Sequence, residues 1–246
     1  PGQMLTTLIH ELHHERQLKA GVMKSVSDKV PSPVEQMWYE RAMEADAQAT
    51  ATDISWKLKE AGKPAAWKAL EKDGHWRGQV AKAYADKAAG DPKSVENGTA
   101  KRAAFDAWFS AKNRFGITTP MIYNNQATNN LPSPTDFEEL HRAGLPFEPL
   151  KPKDIEKLGD IAPQNYLKAP GGRSLDDPLY RTADFNQWQA SKLNFLHGRY
   201  EEIKQGNYPK PNMSHPSITG SAAPIAKQQP PAVSVSLARR PAGMKL

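Results

Sequence analysis

Leu5, Leu8, Ile9 and Leu12 recur at three- and four-residue intervals and predict an amphipathic helix over residues 4–20, ended by Gly21. A longer series, Met37, Glu40, Glu44, Ala47, Ala51, Ile54 and Leu58, predicts a second helix over Pro33–Glu60, stopped by Gly62. Ser32 marks its start as N-cap, with Pro33 in the first helical position and Glu35 three residues after the cap. Shorter helices are expected over 65–71, 76–89 and 99–115. Between 116 and 184 prolines, glycines and asparagines dominate, so this stretch is expected to wrap the body as long loops with short helices over 135–143 and 152–158. A closing helix over 185–205 places Trp188, Leu193, Leu196 and Tyr200 near one side. No strand pattern or internal repeat emerges, so the fold class is mainly α. Three regions follow: a helical core over 1–115, a loop-rich region with a closing helix over 116–207, and a Pro-rich tail over 208–246.

The second helix carries an anomaly. Its stripe is apolar for most of its length, yet Glu40 and Glu44 occupy two of its positions. A carboxylate on a buried face is costly unless it pairs with a cation or a metal. The first helix offers a reason for a metal. His10-Glu11-Leu12-His13-His14 matches H-E-x-x-H, and on a helix residues i and i+4 share a face, so His10 and His14 can aim at one ion with Glu11 beside the open position. Glu44, thirty residues after His14, is the expected third ligand, and Glu40, one turn earlier, is the alternative. Asp46 points elsewhere on the helix and could accept the free ring N–H of a histidine, fixing its tautomer. His13 cannot share the ligand face with His14 and is placed beside the site or on the surface.

Composition narrows the chemistry. The 246 residues include no cysteine, which excludes disulfides, thiolate metal sites, iron–sulfur clusters and cysteine nucleophiles, so any metal uses nitrogen and oxygen ligands. No apolar run is long enough for a membrane span and no leader peptide is visible, which leaves either the cytoplasm or export open. The net charge of +6 resides mostly in the tail: Lys210, Lys227, Arg239, Arg240 and Lys245 give +5 with no acid, leaving +1 for residues 1–207. Seven prolines and a single aromatic in that tail predict disorder, and its scattered charges make no specific nucleic-acid or membrane site. The chain opens on Pro1-Gly2-Gln3 and runs at once into the first helix, so a supporting N-terminal sheet is expected to lie outside it, as part of a longer polypeptide.

Leu5-Thr6-Thr7-Leu8-Ile9-His10-Glu11-Leu12-His13-His14, followed by Glu44-Ala45-Asp46-Ala47-Gln48-Ala49, resembles the zincin metallopeptidases. Within them it is similar to a group of uncharacterised bacterial metallopeptidase-like proteins with an H-E-L-x-H helix and an E-A-D-A helix. The resemblance covers residues 5 to about 60. It implies a zincin-like active-site helix and a second ligand-bearing helix, one Zn(II) ion on His10, His14 and a glutamate of the second helix, and Glu11 as general base, as in the gluzincins typified by thermolysin. Gln17 and Ala20 stand where a metzincin has Gly and His, which argues against that branch. Gln48 stands where the thermolysin pattern has an aspartate. Mn(II), Co(II) or Fe(II) could occupy similar ligands.

Three classes of function fit these features. The first is a zinc-dependent peptidase that hydrolyses peptide bonds by metal-activated water, with Tyr39, His75, Tyr84 and Tyr123 as the candidate oxyanion donors by residue type. The second is a catalytically silent zincin-like binding module of a larger polypeptide, although inactive relatives usually lose Glu11 or a ligand. The third is a helical scaffold whose basic tail binds nucleic acid or a membrane surface, with salt-dependent binding and indifference to chelators. His75, His141, His197 and His215 read as isolated, and the six tryptophans as core and groove lining.

Overall fold

The computed structural model of the protein describes residues 1–22, 28–181 and 185–208. The expected disordered tail falls almost wholly outside them. Pro1–Pro209 groups into one compact unit. Among the described residues ten α-helices form and no strand, with Lys112 and Thr118 making an isolated bridge. The fold is mainly α. No helix of the described residues is long and apolar enough to cross a membrane.

The helices are α1 (Gly2–Lys19), α2 (Pro33–Glu60), α3 (Ala65–Glu71), α4 (Trp76–Gly90), α5 (Thr99–Ser110), α6 (Thr119–Asn130), α7 (Pro134–Arg142), α8 (Pro152–Glu156), α9 (Pro178–Arg181) and α10 (Gln187–Lys204). The Ser32 cap forms as expected: its side chain accepts from Glu35 N while the Glu35 carboxylate accepts from Ser32 N. α2 is the central pillar, buried on several sides, with α1, α3, α5, α6 and α10 packed around it. The main core gathers Trp38, Trp67, Tyr84, Phe105, Trp108 and Tyr166. Two smaller clusters, one around Met37, Leu193 and Leu196 and one around Phe137, Tyr200 and Ile203, seat α10 on the body.

Four expectations need correction. The apolar stripe of α1 is not buried: Leu5 and Ile9 are half-buried, and Leu8 and Leu12 are 51% and 53% exposed. The buried face is the polar one, Thr6, His10, His13 and Gln17, because α2 offers it acceptors of hydrogen bonds rather than apolar side chains. α5 ends at Ser110 and not at 115, because Ala111 turns extended and Asn113 Oδ1 accepts from the backbone N–H of Phe115 and Ile117 in a tight loop. The stretch expected to be loop after 116 carries α6, which Thr118 and Pro120 start and whose Asn124, Ala127 and Thr128 are buried. Trp188 is 43% exposed, so the closing helix buries Leu193, Leu196, Tyr200 and Ile203 without it.

Candidate metal centre

α1 lies against α2, and its buried polar face meets the carboxylates of the second helix. His10 Nε2 stands 3.3 Å from Glu44 Oε2, and His14 Nε2 stands 3.5 Å from Glu44 Oε1. The two Nε2 atoms are 3.1 Å apart, and the rings meet edge to face. One ligand atom from each of His10, His14 and Glu44 lies within 4.8 Å of the others, so the three form a group that could hold a metal ion. Burial alone pushes the Glu44 carboxyl up, but its hydrogen bonds from both histidines hold it down at about 2. Burial lowers the affinity of His14 for a proton, yet the bonds to Glu44 and Gln17 and the nearby Glu11 charge outweigh it and raise its pKa.

Glu40 does not join this group among the described residues. It is held by the Asn130 side chain, and burial, with a smaller push from the Glu44 charge, raises its pKa to about 7. Asp46 accepts the proton of a histidine, as the tautomer argument expected, but of His13 and not of either residue in the group: His13 Nε2 is 2.7 Å from Asp46 Oδ2. The fully buried Asp46 carboxylate is a hub. Gln17 Nε2 donates to Oδ2 at 2.9 Å, Tyr166 donates its hydroxyl to Oδ1 at 2.7 Å, and Lys101 Nζ lies 3.8 Å away. Burial pushes this carboxyl up as well, and His13 followed by Lys101 brings it to about 2. Gly98, at φ +81°, lets α5 begin so close to Tyr166 that a Cβ there would stand 2.9 Å from Tyr166 Cβ, and this seats the tyrosine under the hub.

Gln17 is the residue that sequence reasoning overlooked. Its Nε2 is committed as a donor to Asp46 and to Met43 O, so its Oε1, 2.8 Å from His14 Nδ1, must accept. His14 therefore carries a proton on Nδ1, so that Nε2, which donates to Glu44 when the ring is protonated, offers its lone pair to an ion when the ring is neutral. The signal was a buried polar side chain three residues after His14 on the same helix. His10 Nδ1 has no hydrogen-bond partner among the described residues, so only one of the two rings is oriented this way.

Glu11 is half-buried, and its charge is felt by both His14 and Tyr123. Of the four candidate oxyanion donors, Tyr39 donates to Val22 O and Tyr84 to Asp53, while His75 is an exposed residue that starts α4. Tyr123 is different: burial first, then the charges of Glu44 and Glu11, raise its pKa, which places the phenol in the electrostatic reach of the cluster. Of the remaining histidines, His141 bonds Tyr208 and His197 stacks on Tyr200, while His215 lies outside the described residues.

The pH behaviour of the metal-free chain follows from these shifts. The folded-state pKa values of Glu44 and Asp46, each about 2, lie below the ordinary 4.5 and 3.8. Their contribution to stability is therefore full above about pH 4.5 and lost as pH falls through about 2. His14 has the opposite sign, contributing fully below 6.5 and losing its share as pH rises. Thermal unfolding measured across pH is expected to show a falling midpoint on the acid side below about 4. In Asp46→Asn the acid fall is shallower, because one of the depressed carboxyls is gone; an unchanged slope in that variant would contradict the assignment.

A family model described as a putative metallopeptidase family (DUF6782) matches residues 1–124, a span that contains α1, α2 and the whole His10, His14 and Glu44 group. No curated protein and no solved structure matches the chain.

Proposed function

The chain belongs to this metallopeptidase family, and from that premise we propose that it is a zinc-dependent peptidase of gluzincin type, with His10, His14 and Glu44 as the ligands of one Zn(II) ion and Glu11 as general base. The observation that carries this reading is the convergence of two imidazole Nε2 atoms and a carboxylate across two helices, from positions thirty residues apart in sequence. The donor set suits the ion: two nitrogens and one carboxylate are the ligands of a hydrolytic zinc site that keeps a position open. The orientation of His14 by Gln17 adds to the fit, because it leaves the Nε2 lone pair free to coordinate. When bound, zinc supplies a Lewis acid that polarises a peptide carbonyl and acidifies water.

The chain's own residues carry the proton chemistry. Glu11 takes the proton of the attacking water and hands it to the leaving amine, so that the C–N bond breaks with a neutral amine departing. Glu44 stays ionised at neutral pH because the histidines hold its pKa low, which keeps it a ligand rather than a competing acid. Tyr123 keeps its proton over the same range of pH and is the donor we assign to the developing oxyanion, because its phenol feels the charges of Glu44 and Glu11. The Asp46 hub acts from behind the site: it fixes Gln17, which in turn fixes His14.

The direct test is a peptide-library cleavage screen read by mass spectrometry, with and without a chelator. Cleavage that chelation abolishes and zinc restores is the expected result. Cleavage indifferent to chelation, or none from a metal-loaded and folded chain, would overturn the proposal.

A further inference from the structure

Beside the cluster lies a cavity of about 340 Å³ whose walls include Val30, Pro31, Met43, Leu140 and Leu145, with Glu40 as its acid. Two residues tie it to the candidate metal centre: Met43 immediately precedes Glu44, and Glu40 lies one turn before it on α2, close enough to feel the Glu44 charge. A cavity of this size and lining suits a single large side chain.

Its electrostatics select among side chains. Glu40 sits in a mostly apolar wall, and a carboxylate in such a place is costly without a cation. The lysine at the wall, Lys29, is already paired with Asp154 at 2.6 Å. Asn130 gives Glu40 a neutral partner, and the next charged neighbour is another carboxylate. The raised pKa of Glu40 agrees with an uncompensated acid. A side chain with a methylene stem and a cationic end would answer both features at once, the stem against Val30, Met43 and Leu145 and the charge at Glu40.

We propose that this cavity receives the side chain of a lysine or arginine adjoining the scissile bond of a peptide substrate, with Glu40 reading its charge. The proposal rests on the peptidase reading for the peptide, but the cavity's preference for a cationic end can be tested without turnover. Hexylamine and 1-hexanol share the stem and differ at its end. Their binding to the full chain, followed through the Met43 methyl resonance, should favour hexylamine about tenfold, the lower end of the range for a hydrogen bond to a charged group. In Glu40→Gln the two probes should bind alike, and Leu140→Trp, which fills the cavity, should weaken both. Hexylamine binding no tighter than hexanol, binding of neither, or an amine advantage that survives Glu40→Gln overturns the proposal.

Peptides that differ only by lysine or norleucine at the flanking position then connect the cavity to catalysis. A higher kcat/KM for lysine in wild type, lost in Glu40→Gln, is the expected result. Equal cleavage of the two peptides would reject the cavity's role while leaving the peptidase reading in place. An amine preference with no cleavage of any peptide would reject the peptidase reading and with it the cavity's role in cleavage, leaving only its preference for a cationic end.

Discussion

Glu11→Gln is expected to keep the zinc content of the wild-type chain and to lower peptide hydrolysis by about 10²- to 10⁴-fold, the range lost when a general base is removed. Glutamine preserves the shape of the side chain but cannot accept the proton of the attacking water. Glu11 lies next to His10 on α1, and its charge reaches His14 and Tyr123, so it addresses the same small volume as the three ligand candidates. Because it is half-buried and joins none of the hydrogen bonds of the Asp46 hub, the substitution should leave the thermal midpoint within a few degrees of wild type. Elemental analysis and kcat measured on the same samples check both halves. A Gln variant that turns over at the wild-type rate would remove Glu11 from the chemistry.

Asp46→Ala should be the most destabilising single change at the site. The carboxylate is wholly buried and receives His13, Gln17 and Tyr166, with Lys101 close by. Removing one partner of a buried ionic network leaves the others desolvated and unpaired, at a cost of about 3–5 kcal/mol. For a chain of this size such a loss lowers the thermal midpoint by about 10 °C. Zinc affinity should fall as well, by about 10- to 100-fold, since Gln17 loses the bond that fixes it against His14. Gln17→Leu separates the two effects: it cuts the link to His14 while His13, Tyr166 and Lys101 remain on Asp46. A large loss of zinc affinity with a small loss of stability is expected in that variant. Chelator competition and thermal unfolding distinguish the outcomes, and equal zinc affinity in Gln17→Leu and wild type would refute the orienting role.

The contrast between Gln17 and Glu44 explains what the sequence could reveal. His10, His14 and Glu44 were legible because their chemistry depends on spacing within a helix and on acids placed in an apolar stripe, both of which are written locally. The capped start of α2 was legible for the same reason. The face that α1 buries was not. Its leucines form a stripe, and periodicity finds a stripe without saying what lies opposite it; the partner here is a buried carboxylate, so the polar face turns inward and Leu8 and Leu12 turn to solvent. Tyr166 reaches Asp46 from 120 residues away, a contact no local pattern encodes. α6 was hidden by its amides: a segment reading Asn-Asn-Gln-Ala-Thr-Asn-Asn has poor intrinsic helix propensity, and burial of Asn124, Ala127 and Thr128 holds it helical. Glu40 was legible as an anomaly but not in its place, because the cavity that surrounds it is built from α2, α7 and the segments that flank them.

The account stands or falls on one ion held by three side chains, and metal content measures this most directly. Elemental mass spectrometry of the purified chain should find near one equivalent of zinc in wild type and in Glu11→Gln, and little in His14→Ala and Glu44→Ala, with all four shown to be folded. No metal above background in a folded wild-type chain offered zinc, or full retention in either ligand variant, would contradict it.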